Sequence, residues 1–525
     1  MSYSQSWLED TNARRCILVK ATVNYYNGSS WSEIIKYFSN YPYMTTDAAI
    51  VFLPIIANGF SFSEELSTSS GVSFSYGDIE LHNNGEYDNW LDTETYIWTN
   101  RPVQVYYGDP SWISANEAAI YSSFELIFDG LISDINSKNR TKINILVRDK
   151  MEKLNTPITE NKLGATGTWG GGGQTNSENI KPLVLGEVHN IEPILMDPST
   201  LEYMFHDGSI GPAEQLIEIR DNGVPIYTAG VLTGGATVDN TEGTFTLTAP
   251  LVGVCTVSVQ GLKKSIDFTG GGSVLNTYNN NIAHLIALIT TQLGKSYTKL
   301  AFNELDLTNL SNFATANDES VGIAITDRES LLGICEQLAS SLGAQVYFTR
   351  QGLLQILRLG VYTSDPSVDI TDSDILQGSL YVSGRTNIVA ATKLGYAKSY
   401  TVQDNLLSAI PSKNKTMFAS EWYDITVIDS TIKALYKLNE DPVQKDTALI
   451  VAADAIAEAT RLNNYYKTLH TTYRFKARSK LLSLKLGQQV TLFHNRFGLS
   501  SGRAGQVTFL GPDWSKGIID VGVTI

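Results

Sequence analysis

The sequence has few of the side chains that most often carry metal or redox chemistry. Among 525 residues there are three cysteines and six histidines. Cys16, Cys255 and Cys335 are odd in number and far apart, so they predict neither a disulfide framework nor a Cys-x-x-Cys metal site. No two histidines have the i, i+3 or i, i+4 spacing that places two ligands on one helical face. Assembly in a reducing cytoplasm is the simplest interpretation.

Long apolar runs and clusters of basic residues are also scarce. The longest apolar run, AAIVFLPIIA at 48–57, contains Pro54 and has about half the length that a membrane helix needs. The polar N-terminus MSYSQSWLEDTNARRC predicts no signal peptide. The net charge of −15 comes without clustered Lys and Arg. This argues against a surface that grips nucleic acid, although DNA can pass an acidic wall without sticking.

The chain is rich in residues that form strands and cores. Apolar residues make up 42% of it, with 26 Tyr and 18 Phe, and its length indicates several domains. We therefore predict a multi-domain protein that is mainly β, with α+β parts. In the N-terminal part, strands are predicted at 15–26, 48–56, 71–83, 101–109, 124–135 and 141–149. An antiparallel barrel, closed or nearly closed, would protect their edges.

Changes of composition divide the chain into five predicted parts. These are an N-terminal β-barrel domain at 1–155, a Gly-rich linker or arm at 156–180, a small β domain at 181–274, an α+β domain at 275–365, and a second β-rich domain with one long helix at 366–525. Within the arm, Trp169 offers one anchor for a segment that orders on assembly.

Three helices and one hairpin follow from local patterns. Apolar spacing predicts a helix from Ile282 to Leu293, capped by Asn280 or Asn281. Thr326 and Glu329 form a possible capping box before a helix that ends at Gly343. A hairpin is predicted around 350–352, and a long helix at about 446–468.

The densest polar stretch is KPLVLGEVHNIEPILMDPSTLEYMFHDG at 181–208, with two histidines and five carboxylates. His189 and His206 could hold zinc or iron with Glu187, Glu192 and Asp207 only if folding gathers them, because close ligand pairs are missing. Hydrogen-bonded scaffold residues are the favoured interpretation. The DNGVP segment at 221–225 predicts a type I′ hairpin turn rather than a calcium loop.

No stretch of the sequence marks a catalytic centre. There is no Gly-x-Ser-x-Gly elbow, and no pair of acidic residues stands out among the 54 present. We predict no catalytic residues, no cofactor and no metal.

Several segments together resemble the hub proteins at the tail tip of tailed bacteriophages and gene transfer agents. YGDIELHNNGEYDNWL, RPVQVYYGD and FDGLISDI are similar to the first tube-like domain of these hubs, and LSLKLGQQVTLFHNRFGL and GRAGQVTFLGPDWSKGIIDVGVTI to their closing strands. The strongest likeness is at 181–225. It is carried by Lys181, Pro182, Gly186, Asn190, Pro193, Asp197, His206, Asp207, Gly208, Asp221, Asn222, Gly223 and Pro225.

The resemblance implies two tube-like antiparallel β-barrel domains with smaller inserted domains, in a homotrimer that forms a pseudo-sixfold ring. Such a ring joins a hexameric tail tube to a trimeric tail tip and lines the DNA-ejection channel. The implied partners are distal tail and tail tube proteins, tail-tip or fibre proteins and the tape measure protein. DNA would pass without specific binding, and no membrane insertion is implied. The location would be the virion tail tip, after assembly in the host cytoplasm.

Two features depart from some members of that family. Three scattered cysteines cannot supply an iron–sulfur cluster. The chain has no spare domain for a fused lysozyme or peptidase. A tail-associated cell-wall hydrolase and a receptor-binding adhesin remain the alternatives.

Overall fold

A computed structural model describes residues 5–10, 12–47, 49–66, 76–164, 178–403, 406, 410–438 and 441–525. Its strands, in chain order, are β1 (Cys16–Tyr26), β2 (Trp31–Ser39), β3 (Tyr43–Met44), β4 (Val51–Phe52), β5 (Ile56–Phe62), β6 (Glu64–Glu65), β7 (Tyr76–His82), β8 (Tyr96–Ile97), β9 (Pro102–Gly108), β10 (Glu125–Asn139), β11 (Lys142–Arg148), β12 (Leu183–Ile191), β13 (Ile194–Asp197), β14 (Glu202–Met204), β15 (Ala213–Asp221), β16 (Val224–Thr228), β17 (Ala236–Asp239), β18 (Thr244–Leu247), β19 (Cys255–Leu262), β20 (Ser265–Asp267), β21 (Ser273–Leu275), β22 (Gly322–Ile325), β23 (Ala344–Phe348), β24 (Leu354–Arg358), β25 (Val368–Ile370), β26 (Tyr381–Arg385), β27 (Ala391–Tyr396), β28 (Tyr423–Ile428), β29 (Gln444–Asp446), β30 (Thr471–Arg478), β31 (Gln489–Leu492), β32 (Arg503–Asp513) and β33 (Ile518–Thr524). The α-helices are α1 (Gln5–Glu9), α2 (Glu117–Ser123), α3 (Ile282–Gln292), α4 (Leu307–Ala316), α5 (Leu331–Ser340), α6 (Ser412–Ala419), α7 (Ser430–Tyr436) and α8 (Ala452–Tyr466).

The first of two compact units comprises residues 1–152, 347–386 and 469–525. Its main sheet has the order β2-β1-β9-β10-β11-β7-β5-β32-β33-β30-β26, with β6, β8, β25 and β31 attached at the sides. Strands from both ends of the chain therefore share one hydrogen-bonded ladder. Fully buried aromatic side chains such as Phe60, Phe128 and Trp514 fill its core, which accounts for much of the aromatic content.

The second unit comprises residues 153–346 and 387–468. Its largest sheet has five strands in the order β16-β15-β19-β12-β22, and a four-stranded sheet has the order β13-β14-β18-β17. A third sheet, β28-β27-β29, packs against α8, while α3 packs against α4 and α5. Apolar side chains from β12, β15 and β19 form a shared core.

The prediction of a mainly β protein with a few helices is confirmed. The predicted helix at 282–293 is confirmed as α3, and Asn281 caps it because its side-chain oxygen accepts from the Ala283 backbone N–H at 3.0 Å. The predicted capping box of the next helix is wrong. Ser330 caps α5 instead, its hydroxyl accepting from Gly333 N–H at 3.0 Å. The helix predicted at 446–468 begins later, as α8, because 444–446 pairs as β29.

The N-terminal strand predictions are right for β1, β9, β10 and β11, and for β7 in the part of 71–83 that is described, since 71–75 lie outside the described residues. They are wrong in two places. The run at 48–56 contains only the two-residue β4 and the start of β5, because Pro54 interrupts it. Strand β2 was not predicted, although all nine of its residues pair with β1. Its apolar residues at 31, 34, 35, 37 and 38 do not alternate, so the period-two pattern is lost.

Most of the predicted Gly-rich arm, 165–177 with Trp169, lies outside the described residues. Its flanks lie within the second unit: Pro157 bridges Ser330, Lys162 bridges Ile180, and Ile158 and Leu163 are buried. The five-part division of the chain stays a prediction. Within the described residues, no helix combines the length and apolarity needed to cross a membrane.

Candidate functional site

The 181–225 block lies entirely in the second unit and spans β12 to the start of β16. Its centre is a turn at 205–211 that is pinned to β12. His206 and Asp207 in this turn are both fully buried, which is rare for a carboxylate unless its oxygens are hydrogen-bonded. The two residues face different partners.

His206 joins the turn to strand β12. Its Nδ1 accepts from the Val184 backbone N–H at 3.2 Å, so the proton lies on Nε2, which donates to Gly211 O at 3.2 Å. Burial lowers the pKa of His206 to about 4, only partly offset by Asp207, while Lys264 lowers it further. The imidazole is therefore neutral, and both of its nitrogens are engaged within the chain.

The Asp207 carboxylate is also saturated by internal donors. It accepts from Asn161 Nδ2 at 2.7 Å, from the Ser209 hydroxyl at 2.6 Å and from Ser209 N–H at 3.1 Å. Lys181 Nζ lies 3.7 Å away, and the Asp207 backbone N–H donates to Pro182 O at 2.7 Å. This carboxylate ties the start of β12 to the turn and has no oxygen left for a ligand.

At two glycines of the block, the Cβ atom of any other residue would clash with backbone atoms of a neighbouring segment. A Cβ on Gly186, whose φ is +68°, would lie 2.0 Å from Val321 O. A Cβ on Gly208 would lie 2.4 Å from Thr241 O. Both positions need glycine because the neighbouring chain passes directly over the Cα atom.

The 221–225 segment forms the predicted type I′ hairpin turn between β15 and β16. Asn222 and Gly223 have φ values of +47° and +85°, as that turn requires. The two Asp221 oxygens accept from the Val252 and Gly253 backbone N–H groups at 2.9 and 2.7 Å, and Pro225 is paired opposite Arg220. The hairpin prediction is confirmed, and Asp221 holds a neighbouring loop.

The other residues of the block are also in structural positions. Asp197 closes a tight turn by accepting from the Ser199 N–H and hydroxyl, and Pro193 is buried at the turn from β12 to β13. Buried Asn190, with φ of +56°, donates through Nδ2 to Ser399 Oγ at 2.8 Å and Thr401 O at 2.5 Å. His189 lies 3.4 Å from Glu187 and thus has a different partner from His206.

Among the described residues, no group of three or more His, Cys, Asp or Glu side chains is arranged to hold a metal ion. Cys16, Cys255 and Cys335 are free and buried. Burial raises the pKa of Cys16 and of Cys255 to about 12, and it raises the pKa of Cys335 as well. All three are core thiols held in the unreactive, protonated form.

Sequence reasoning missed a second feature of this unit, a cleft of about 490 Å³ beside His189. Tyr396 and Tyr423 line it, and they are 27 positions apart in the sequence although paired across β27 and β28. No local pattern joins two such residues.

The neutral state of His206 predicts a pH dependence of stability. Its folded pKa of about 4 lies below the ordinary 6.5, so the unfolded chain takes up the proton first as pH falls. The stabilisation is complete above pH 6.5 and is lost as pH drops toward 4. We expect the free energy of unfolding to fall by about 2 kcal/mol between pH 7 and pH 5, as measured by urea denaturation.

His206→Asn is the matched control, since an amide can still accept from Val184 N–H but does not titrate. It should be less stable than the wild type at pH 7 and lack this part of the pH dependence. An equal decline in both proteins would show that His206 is not its source.

No protein-family model matches the chain, and no curated protein matches it. Solved structures do match. The crystal structure of the 43 kDa tail protein of prophage MuSo2 from Shewanella oneidensis is 10% identical, with a TM-score of 0.40 over 97% of this chain and 98% of that chain. The tail protein from Neisseria meningitidis MC58 is 8% identical, with a TM-score of 0.38 over 97% of this chain and 96% of that chain. A chain in the virion of a native gene transfer agent particle is 12% identical, with a TM-score of 0.42 over 70% of this chain and 87% of that chain. These neighbours are tail and virion proteins, the class that the sequence resembles.

Proposed function

We propose that the protein is a structural tail-hub protein of a bacteriophage virion, a homotrimeric adaptor that joins the hexameric tail tube to the trimeric tail tip. The observation that carries the proposal is the construction of the 181–225 block. The residues on which the tail-hub resemblance is strongest are engaged in internal connections: His206 and Asp207 in buried hydrogen bonds, Gly186 and Gly208 in close backbone contacts. A scaffold needs such connections, whereas an enzyme would keep acidic or basic groups free in a cleft.

The first unit supports the proposal through the edge of its main sheet. Among the described residues, β2 pairs with β1 alone, apart from a bridge between Phe38 and Leu53. Two large apolar side chains on it, Trp31 and Ile35, are 43% and 41% exposed. An open strand with apolar side chains is suited to pair with another chain, which isolated subunits usually avoid. We assign β2 to a contact between neighbouring subunits.

The net charge supports a role beside DNA. At −15, with acidic residues spread along the chain, the protein would repel the phosphate backbone. In this role the trimer forms a pseudo-sixfold ring from two tube-like barrels per subunit and lines the ejection channel. Its partners are distal tail, tail tube, tape measure and tail-tip or fibre proteins, and its place is the virion tail tip.

The oligomeric state tests the proposal. Size-exclusion chromatography with light scattering should give three chains per particle, because the pseudo-sixfold ring needs three subunits. Ile35→Lys places a charge on β2 and should shift the trimer to monomer, while Val231→Lys, at an 85% exposed loop position, should leave it intact.

A stable dimer would contradict the hub proposal. If Ile35→Lys left the trimer unchanged, the assignment of β2 to the contact between subunits would be wrong, but the hub proposal would stand. The hydrolase alternative has its own readout, since turnover of peptidoglycan by the purified protein would favour it.

A further inference from the structure

The cleft beside His189 is built from five separate segments of the second unit, one of them Ile450 and Ala452 at the start of α8. Its volume of about 490 Å³ is within the ~300–1,000 Å³ range of small-molecule sites. His189 comes from the end of β12, Tyr396 and Ala397 from the end of β27, Met417 from α6 and Tyr423 from the start of β28. His189 is the one of these residues that lies in the 181–225 block, and it is not among the residues that carry the tail-hub resemblance.

One wall of the cleft is aromatic. Tyr396 and Tyr423 are register partners, with ring centroids 5.7 Å apart and ring planes at 26°. Both are half-buried, and each combines an apolar ring with a polar hydroxyl. Burial, followed by the neighbouring Tyr396, raises the pKa of Tyr423, so its hydroxyl stays protonated.

His189 forms a polar end of the cleft, and its partner Glu187 lies in an adjoining cavity. Glu187 Oε1 lies 3.4 Å from His189 Nε2, and Glu187 Oε2 accepts from Gln260 Nε2 at 2.9 Å. The hydrogen bond from His189 is the main reason that the pKa of Glu187 is lowered, so the carboxylate is ionised. Lys398 lines the adjoining cavity with Glu187 and His189, its Nζ 5.4 Å from the Trp422 ring centroid. The described residues that line the cleft itself include no Asp, Glu, Lys or Arg, so a charged ligand would find no opposite charge there.

Residues with positive φ angles lie on two sides of the cleft. Ala397 has φ of +47°, and Asn190, directly after His189, has φ of +56°, a region that non-glycine residues seldom adopt. Ala397 N–H donates to Leu449 O at 2.8 Å, and His189 forms a bridge with Ser399. Such strain is retained where surrounding contacts enforce it, and it is concentrated at binding sites.

We propose that this cleft binds a neutral sugar ring of the pyranose class. The apolar face of the ring would lie against Tyr396 and Tyr423, and its hydroxyls would reach His189 and Thr416, which also line the cleft. A neutral ligand that is flat and apolar on one face and rich in hydroxyls at its edge matches the aromatic wall and the uncharged polar side chains of the cleft. The protein would then contact a surface glycan as well as hold the tail together.

Saturation-transfer NMR with N-acetylglucosamine trimer and maltotriose as separate probes tests this inference on the full-length chain. At least one of the two should give saturable binding, and Tyr423→Ala should weaken it by at least tenfold. Tyr423→Phe keeps the ring and should retain most of the affinity. The matched control is Tyr436→Ala, an exposed tyrosine on α7 that does not line the cleft.

Absence of binding by both sugars in the wild type would overturn the proposal. So would saturable binding of choline alone, which would assign the cleft to a cation, or equal affinity of wild type and Tyr423→Ala. A urea denaturation curve for each variant separates loss of the cleft from loss of the fold. The trimer mass is a separate measurement, so failure here leaves the hub proposal untouched.

Discussion

Replacing Gly186 with alanine is expected to remove most of the stability of the second unit. Gly186 is opposite Gly322 in the β12–β22 pair, so two glycines face each other where the strands meet. A Cβ on Gly186 would lie 2.0 Å from Val321 O, and a Cβ on Gly322 would lie 1.7 Å from Glu187 O. Since both atoms struck belong to backbone, no side-chain rotation can relieve the clash.

Two effects of Gly186→Ala lower the free energy of unfolding. The left-handed backbone at φ +68° costs an alanine about 1–2 kcal/mol, and the clash requires β22 to move away from β12. We expect a total loss of more than about 4 kcal/mol, which places the change among the most damaging single substitutions. Urea denaturation gives the total, and faster hydrogen exchange in peptides that cover β12 and β22 locates it.

Gly230→Ala is the matched control for this substitution. Its φ of +71° is nearly the same, but nothing lies within 4 Å of the added Cβ. It should cost only the backbone term, about 1–2 kcal/mol. If the two variants were equally stable, the close approach of β12 and β22 would contribute nothing.

Much of what was predictable from the sequence was local. The cap of α3 at Asn281 and the Asn222–Gly223 turn depend on residues within a few positions of each other, and both are present as predicted. The helix at α5 was also predictable, but its cap was not. Thr326 and Ser330 both carry a hydroxyl, and only the path of the chain decides which one is placed before the first turn.

The candidate site was less accessible from the sequence because its contacts join distant segments. The residues of the 181–225 pattern contact partners, among them Asn161, Val321 and Ser399, that lie outside it. The cleft depends on the pairing of Tyr396 with Tyr423 and on a bridge between His189 and Ser399. A periodic sequence pattern predicts neither contact, because each joins residues far apart in the chain. Strand β2 was missed for a related reason. Its apolar residues do not alternate with a period of two, so the sequence pattern does not predict a strand there.

Removing the guanidinium of Arg350 should destabilise the first unit by about 3–5 kcal/mol. Arg350 is buried, and its Nη2 donates to Leu482 O at 3.1 Å and Leu484 O at 2.9 Å. Its backbone N–H donates to Glu64 Oε1 at 2.9 Å, and its Nη1 lies 3.9 Å from Glu64 Oε2. Arg350→Met would leave a buried carboxylate without its cation and two carbonyl groups without their donor.

The pH dependence of Arg350→Met distinguishes the loss of charge from the loss of packing. Burial raises the pKa of Glu64, and Arg350 opposes that rise. A raised folded pKa means that Glu64 favours the folded state at low pH and loses this contribution as pH rises through the folded pKa. Without Arg350 that pKa rises further, so the cost of the substitution should be largest at neutral pH and smaller in acid.

Two further variants complete the test by urea denaturation. Glu64→Gln combined with Arg350→Met removes both charges and should recover part of the stability lost in the single variant, because no unpaired carboxylate remains. Lys516→Met breaks an exposed pair with Asp513, at 2.7 Å and with the lysine 72% exposed, and should leave the free energy of unfolding almost unchanged. A cost for Arg350→Met that is independent of pH would mean that Glu64 is already protonated in the folded protein and that Arg350 acts only through the Leu482 and Leu484 carbonyls. A cost as small as that of Lys516→Met would contradict both roles of Arg350.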